Sequence, residues 1–516
     1  MIWRIGDDRV RRRVLAAAIL GVVLVLHLWS LPRFPGPFVD EAWFGNRAWS
    51  FVQHGNPLGT LDHGVVDRFH GSSHFFQTLP MLVQAAALRL TGSPSLFALR
   101  AVSLIMGAVL ALATWLIART WYDASTAFSS VVLLGLSGPF IYSSHLARYD
   151  IMAAAFGYAA IGLYVRPGRH RPLTAILAGL LGGIAFECHP FALAIVVALP
   201  VLAFEEFGWR VLSASVSRAL IAGLVAGFLI YPTLHILPNP QSYFELTRLI
   251  YGPTHTPSIG QLGTGLAEWL SLAVASFGFL TPVLIWALFT LSEGGDQPDR
   301  RLLLVSATIS GAFAILVRNK QPYYSVLFTP PLVMCLAVAA GKMIRDRNRS
   351  PRFLRRSSLA AAAVLLTLSF GSSFSAMGQD GRPAYNDVLK RLAKVVEPGD
   401  SIMGSQTYWF GFADHPYYSW EQLVYLRRLR PGLSIGDALT TMRPDLFIRD
   451  DHMEWFILDR PGDTAYTQLL WIPKVEIESW LAAHASIIAD LVNPLYGRIR
   501  VYRIRWPIDG DSTRLR

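Results

Sequence analysis

Charge is scarce in this chain of 516 residues: Asp, Glu, Lys and Arg make up 16% of it, against about 25% in a soluble globular protein. Hydrophobic residues make up 53%. That balance excludes an ordinary soluble domain and points to a protein that crosses a membrane many times. Cysteine is scarcer still. Only Cys188 and Cys335 occur, which excludes a disulfide framework and any cysteine-rich metal centre. Nucleotide and hydrolase signatures are missing too: there is no Walker loop, no GxGxxG after a strand, no GxSxG elbow and no HExxH. Acidic residues are outnumbered, 35 to 46, for a net charge of +11. In a membrane chain this excess bears on orientation rather than on nucleic acid, and no nucleic-acid partner is expected.

What is present is a series of apolar runs near spanning length, at 14–31, 99–118, 125–143, 151–165, 173–187, 190–205, 218–236, 268–291, 302–317, 323–341 and 357–375, about eleven spans in all. The first follows MIWRIGDDRVRRR and precedes LPRFPGP. It is long enough to span, and the following residues make a poor signal-peptidase site, so it reads as an uncleaved first span. Alternate connections are basic: Arg119, RPGRHRP (166–172), Arg210 to Arg218, PDRR (298–301) and GKMIRDRNRSPRFLRR (341–356). The positive-inside rule then sets the N-terminus in the cytoplasm. The odd span count sets the C-terminus outside, in a multi-pass protein of the plasma (inner) membrane. The cytoplasmic loops are short, with no room for a nucleotide-activated substrate.

Residues 1–376 therefore read as a transmembrane domain, with 32–98 as a first extracytoplasmic loop. From about Met377 the pattern changes to short alternating blocks. NDVLKRLAKVVEPGDSIMGS reads as helix, turn, strand; SIGDALTTMRPDLFIRD repeats that scheme; VEIESWLAAHASIIADLV and GRIRVYRIRW add a helix and two strands. Residues 377–516 are thus expected to form an extracytoplasmic α/β domain.

Four features of the outer connections can carry chemistry. Asp40 and Glu41 lie in GPFVDEAW, just past the first span. They are either solvated loop acids or a general base at the membrane–water boundary, where partial burial tunes a carboxylate. Arg148 and Asp150 lie in HLARYD, a connection so short that they must sit at or below the interface; there they pair to fix the hairpin or face a cavity. Arg318, Lys320, Tyr323 and Tyr324 lie in VRNKQPYY. Cations on the outer side run against the positive-inside rule and suit an anionic lipid phosphate. Finally, His63, Asp67, His70 and His74 are spaced 4, 3 and 4, so a helix over them would gather a metal site on one face. Gly64 and Gly71 oppose that helix, and loop histidines with no ligand role are the alternative.

The order of these pieces resembles the GT-C superfamily of polyprenyl-phosphate-sugar-dependent glycosyltransferases, in the bacterial branch of protein O-mannosyltransferase-like and lipid A aminoarabinose transferase-like members. VDEAW (39–43), SPSLFALRAVSLIMGAVLALATWLIARTWYD (93–123), SSHLARYDIMAAAFGYAAIGLYV (143–165), AGLLGGIAFECHPFALAIV (178–196) and NKQPYYSVLFTPPL (319–332) carry it. One departure stands out: many relatives have Lys-Pro-Pro in the first outer loop, where this chain has HGSSHFFQTLP (70–80). The resemblance implies an inverting enzyme that takes a sugar from a polyprenyl-phosphate-linked donor. The acceptor is a hydroxyl of an extracytoplasmic glycan, lipid or protein. Asp40 is implied as the base, with Glu41 and Asp150 orienting it or the acceptor, or binding a divalent metal ion, the one cofactor under consideration. Lys320, Arg148, Arg318, Tyr323 and Tyr324 are expected around the donor phosphate. Two other classes fit the composition: a flippase for a lipid-linked glycan, and a non-catalytic envelope-assembly protein. The gathering of charge on one face favours single-sided chemistry over the first.

Overall fold

The computed structural model describes residues 8–69, 77–251, 260–317, 320–345, 364, 367–368, 371–375, 377–462 and 465–506. Up to Arg345 the regular elements among the described residues are all helical. Helix α1 (Asp8–Ser30) leads into α2 (Val39–His54), α3 (Thr78–Thr91), α4 (Leu96–Trp121), α5 (Ala124–Leu136), α6 (Gly138–His145), α7 (Asp150–Val165) and α8 (Arg171–Cys188). Further helices include Ala198–Phe207, Ser215–Tyr231, Gly260–Phe277, Thr281–Gly294, Gln297–Leu316 and Thr329–Arg345. Among the described residues five helical stretches are long and apolar enough to cross a membrane, or up to seven if each of two bent pairs is one span. The helices Asp150–Val165 and Thr329–Ile344 are apolar but shorter. The apolar run at 125–143 is one such pair, α5 and α6, which meet at 62°. The break falls at Ser137-Gly138-Pro139, where proline cannot donate to the preceding turn. Most of the last expected run, 357–375, lies outside the described residues.

Packing of the bundle depends on small residues. Where α8 crosses Ser215–Tyr231, a Cβ on Gly183 would lie 2.0 Å from the backbone of Gly227, and one on Gly179 would lie 2.4 Å from that of Leu224. Only glycine lets the two helices approach this closely, the usual device where lipid supplies no hydrophobic drive between helices.

The C-terminal region carries a five-stranded mixed sheet in the order β2-β1-β3-β7-β6. Its strands are β1 (Ile402–Gly404), β2 (Tyr417–Ser419), β3 (Leu446–Arg449), β6 (Ala485–Asn493) and β7 (Gly497–Ile504). A separate parallel pair is formed by β4 (Ile457–Leu458) and β5 (Ile472–Pro473). The helix–break–strand scheme read in SIGDALTTMRPDLFIRD appears as Ile435–Met442 followed by β3, with a Ser434–Asp437 capping box at the helix start. Tyr417–Ser419 and the helix Glu421–Leu429 had no counterpart in the sequence reading.

This region rests directly on α2 and the loop after it. Ala42 and Leu61 are buried in one cluster with Tyr408, Trp409, Ile448 and Val501. A Cβ on Gly45 would meet Leu99 of α4 at 2.7 Å and Phe410 at 3.3 Å. The side-chain amide of Gln422 donates to the Leu61 carbonyl at 3.0 Å. Helix α2 is thus held between the bundle on one side and the sheet region on the other.

Candidate active site

Asp40 and Glu41 open α2, where the free amides and the helix dipole favour acidic groups. Their side chains diverge. Glu41 turns inward and is fully buried. It accepts both arms of the Arg100 guanidinium from α4 at 2.8 Å each, the Ala147 amide at 2.8 Å and the Phe38 amide at 2.9 Å. With both oxygens engaged, Glu41 ties α2 to α4 and to the chain before Arg148. A buried pair this well hydrogen-bonded holds geometry, and losing one partner would leave a bare charge.

Asp40 turns toward Arg148. The Arg148 guanidinium contacts Asp40 through Nη1 and donates from Nε to Oδ2 of Asp150 at 2.7 Å. Its Cζ lies 3.7 Å from the Tyr323 ring centroid, and Nη2 reaches the Tyr324 hydroxyl at 3.5 Å. Tyr323 is anchored in turn, since Ser143 donates to its carbonyl at 2.8 Å and its ring packs against Phe38. One arginine is therefore shared by two carboxylates and sandwiched by aromatics, a setting that suits a planar, delocalised cation. Exposure separates the acids: the Asp40 side chain is 29% exposed and that of Asp150 only 1%. Of the three carboxylates at this centre, Asp40 alone is partly exposed.

A family model described as dolichyl-phosphate-mannose-protein mannosyltransferase matches residues 78–236, which includes Arg148, Asp150 and α8. ArnT from Cupriavidus metallidurans is similar in structure over almost the whole chain. In the apo state it is 16% identical with a TM-score of 0.65, covering 96% of this chain and 100% of that one. Bound to undecaprenyl phosphate it is 16% identical with a TM-score of 0.63, covering 95% and 99%. The fold is that of the GT-C glycosyltransferases. The apo oligosaccharyltransferase of Archaeoglobus fulgidus is 14% identical with a TM-score of 0.53, over 93% of this chain and 74% of that one. Arabinofuranosyltransferase AftD from mycobacteria is 13% identical with a TM-score of 0.52, over 96% of this chain and 40% of that one. No curated protein matches the sequence.

Within this GT-C fold, Asp40, Arg148, Asp150, Tyr323 and Tyr324 come together, and Glu41 lies beside them facing the other way. Lys320 pairs instead with Glu268 at 3.1 Å; the lysine side chain is 4% exposed and the glutamate 56%. Arg318 lies outside the described residues, as do His70 and His74. The helix expected over His63–His74 does not form at its start. Residues 60–68 make two short 3-10 turns, with Gly64 between them at φ 108, and Asp67 accepts the Gly64 amide at 2.9 Å. His63 and Asp67 are therefore not set on a common helical face. Among the described residues no group of three or more His, Cys, Asp or Glu could hold a metal ion.

Three features escaped the sequence reading. Arg100 sits inside an apolar run, and its single charge there was the available signal. Glu187 likewise ends the apolar α8; it is fully buried, accepts the amides of Thr78 and Leu79 at 2.7 and 3.1 Å, and contacts His235 Nε2 at 3.1 Å. The third is Asp62, which takes both arms of Arg47 at 2.9 and 2.7 Å and the Trp43 indole at 2.7 Å, and so fixes the first loop against α2.

Proposed function

We propose that this protein is an integral-membrane, inverting glycosyltransferase that moves a sugar from a polyprenyl-phosphate carrier to a hydroxyl of an acceptor outside the cytoplasm. The GT-C fold supports the reaction class, and the ArnT complex with undecaprenyl phosphate supports the kind of carrier. The single observation that carries the residue assignment is the asymmetry at Arg148, where only Asp40 is both charge-paired and open to a substrate.

Asp40 is the general base. The acceptor oxygen attacks the anomeric carbon, and its proton passes to Asp40. The bond from that carbon to the phosphate oxygen breaks, and the carrier departs as a phosphate monoester. That departure adds negative charge at the leaving group, so fixed cations there lower the barrier and no general acid is needed. Arg148 supplies one, oriented by Asp150 and Tyr323, with the Tyr324 hydroxyl beside it. Lys320 supplies a second by leaving the exposed Glu268, and Arg318 belongs to the same segment. Glu41 acts only by holding α2 in register. The basic connections orient the N-terminus toward the cytoplasm, with residues 377–516 forming an outer domain above residues 1–376.

Mass analysis of envelope glycans and lipid-linked sugars, in cells carrying wild-type or Asp40→Asn protein, tests this reading. Lipid-linked sugar should accumulate and one glycosylated acceptor should disappear. Near-normal transfer by folded Asp40→Asn protein removes Asp40 as the base. Loss of lipid-linked sugar from the outer face with no acceptor affected would favour a flippase.

A further inference from the structure

Asp150 has an oxygen left over. Its Oδ2 takes Arg148, but Oδ1 is buried and, among the described residues, accepts no hydrogen bond. A buried carboxylate oxygen without a donor is costly, and such a vacancy calls for an explanation. The polar group beside it is His189, in the turn between α8 and the next helix, with Nε2 3.6 Å from Oδ1. The backbone fixes the tautomer of that ring. The Phe191 amide donates to Nδ1 at 3.2 Å, so the proton of the neutral imidazole resides on Nε2 and is aimed at Asp150. The ring is held edge-on against Tyr324 at 5.3 Å and tilted against Phe191 at 4.7 Å. Tyr324 is the same residue whose hydroxyl meets Arg148. The turn is also clamped from the other side, because Glu187, two residues earlier, binds the start of α3.

We infer that His189 is a positioning residue whose Nε2–H holds the second oxygen of Asp150 and thereby fixes Arg148 between the two aspartates. At 3.6 Å the contact is longer than a hydrogen bond. It closes when an entering phosphate draws Arg148, and Asp150 with it, into the working geometry; such contacts are commonly loose before substrate binds. Without the imidazole donor, Asp150 turns to satisfy Oδ1 elsewhere, Arg148 follows Asp40, and the cation is misplaced for the phosphate. The inference rests on the reading of Arg148 as a ligand of the carrier phosphate.

The test uses full-length protein in detergent, with undecaprenyl phosphate as the probe and thermal melting as the check on folding. His189→Leu should weaken undecaprenyl phosphate binding about tenfold, and His189→Gln, which keeps a side-chain N–H, should recover most of it. In His189→Ala, added imidazole should restore binding, which keeps the inference testable if the leucine variant fails to fold. A structural role alone would lower the melting temperature without rescue by glutamine or imidazole. Equal losses in the leucine and glutamine variants, or wild-type binding in both while Arg148→Ala binds poorly, overturns the role of His189 and leaves the reading of Arg148 intact. Wild-type binding by Arg148→Ala overturns both.

Discussion

Two aspartates at opposite ends of the bundle are equally buried and differently served. Helix α4 starts near Arg100 at the candidate site and ends at Trp121, just before Tyr122; α7 starts with Asp150 and ends beside Tyr164. At the far end Asp299 is 1% exposed. One of its oxygens accepts from the Tyr122 hydroxyl at 3.1 Å and the other pairs with Lys342. Its neighbours are matched as well: Arg171 grips Glu206 with two nitrogens at 2.5 and 2.8 Å, and Arg301 meets Glu205 at 2.9 Å. At the site end Asp150 is just as buried, has one oxygen unserved, and shares its arginine with a third party, Asp40. At the far end both oxygens of the buried Asp299 are taken, as a buried charge that holds a fold together requires. The buried charge beside Arg148 keeps one oxygen open, the one that the proposed closure of His189 would fill.

The strongest way to break this contrast is to set Asp40, which shares Arg148 with Asp150, against the saturated Asp299. Asp40→Asn should lower transfer by about 10²–10⁴-fold, the range expected for a lost general base, with little change in melting temperature. Asp299→Asn should do the reverse, lowering the melting temperature while turnover per folded molecule stays within about threefold of wild type. If Asp299→Asn cost as much activity as Asp40→Asn, the contrast would fail.

A second test lies inside the site end, where Glu41 is saturated and Asp40 is not. Arg100→Leu should destabilise the protein by about 3–5 kcal/mol because it strands a buried carboxylate. Adding Glu41→Gln to it should recover part of that loss, measured by denaturation in detergent. Between the two ends, Gly183→Ala forces a Cβ against the Gly227 backbone and should cost about 1–3 kcal/mol, again read from melting, with turnover of the folded fraction kept.

The last effect lies off the bundle, at Glu421, and is read as a slope with pH. Burial pushes its carboxyl up to about 7 from 4.5, although Tyr425 and Gln406 both donate to it. Between those two values the folded chain holds a proton that the unfolded chain has released. Stability of this region should therefore fall as pH rises from about 4.5 to 7. Glu421→Gln should flatten that slope, as measured by amide exchange across residues 417–429.

The parts of this architecture that were legible in the sequence are those encoded locally. Apolar runs marked helices, the Arg-Pro break marked the end of Ile435–Met442, and the two-residue spacing of Arg148 and Asp150 hinted at their pairing. Partners chosen by packing were not legible. Nothing in GPFVDEAW says that Glu41 will turn to Arg100, 59 positions away, while Asp40 turns to Arg148. The two acids occupy successive helical positions and so point about 100° apart, which predicts that they diverge but not what each one meets. Lys320 taking Glu268, and Glu187 taking the start of α3, were hidden for the same reason.

The sheet region presses on α2 from above, with Phe410 against Gly45, Gln422 on Leu61 and the Tyr496 hydroxyl on the Pro37 carbonyl at 3.2 Å. Asp40 sits on that helix, three residues from Pro37. The described part of residues 377–506 is in consequence not a cargo that could be cut away or exchanged for a relative's without touching the helix that carries Asp40. These residues form the upper jaw of the vice in which the proposed base is gripped, and a chain shortened to its apolar helices would have Asp40 without the grip.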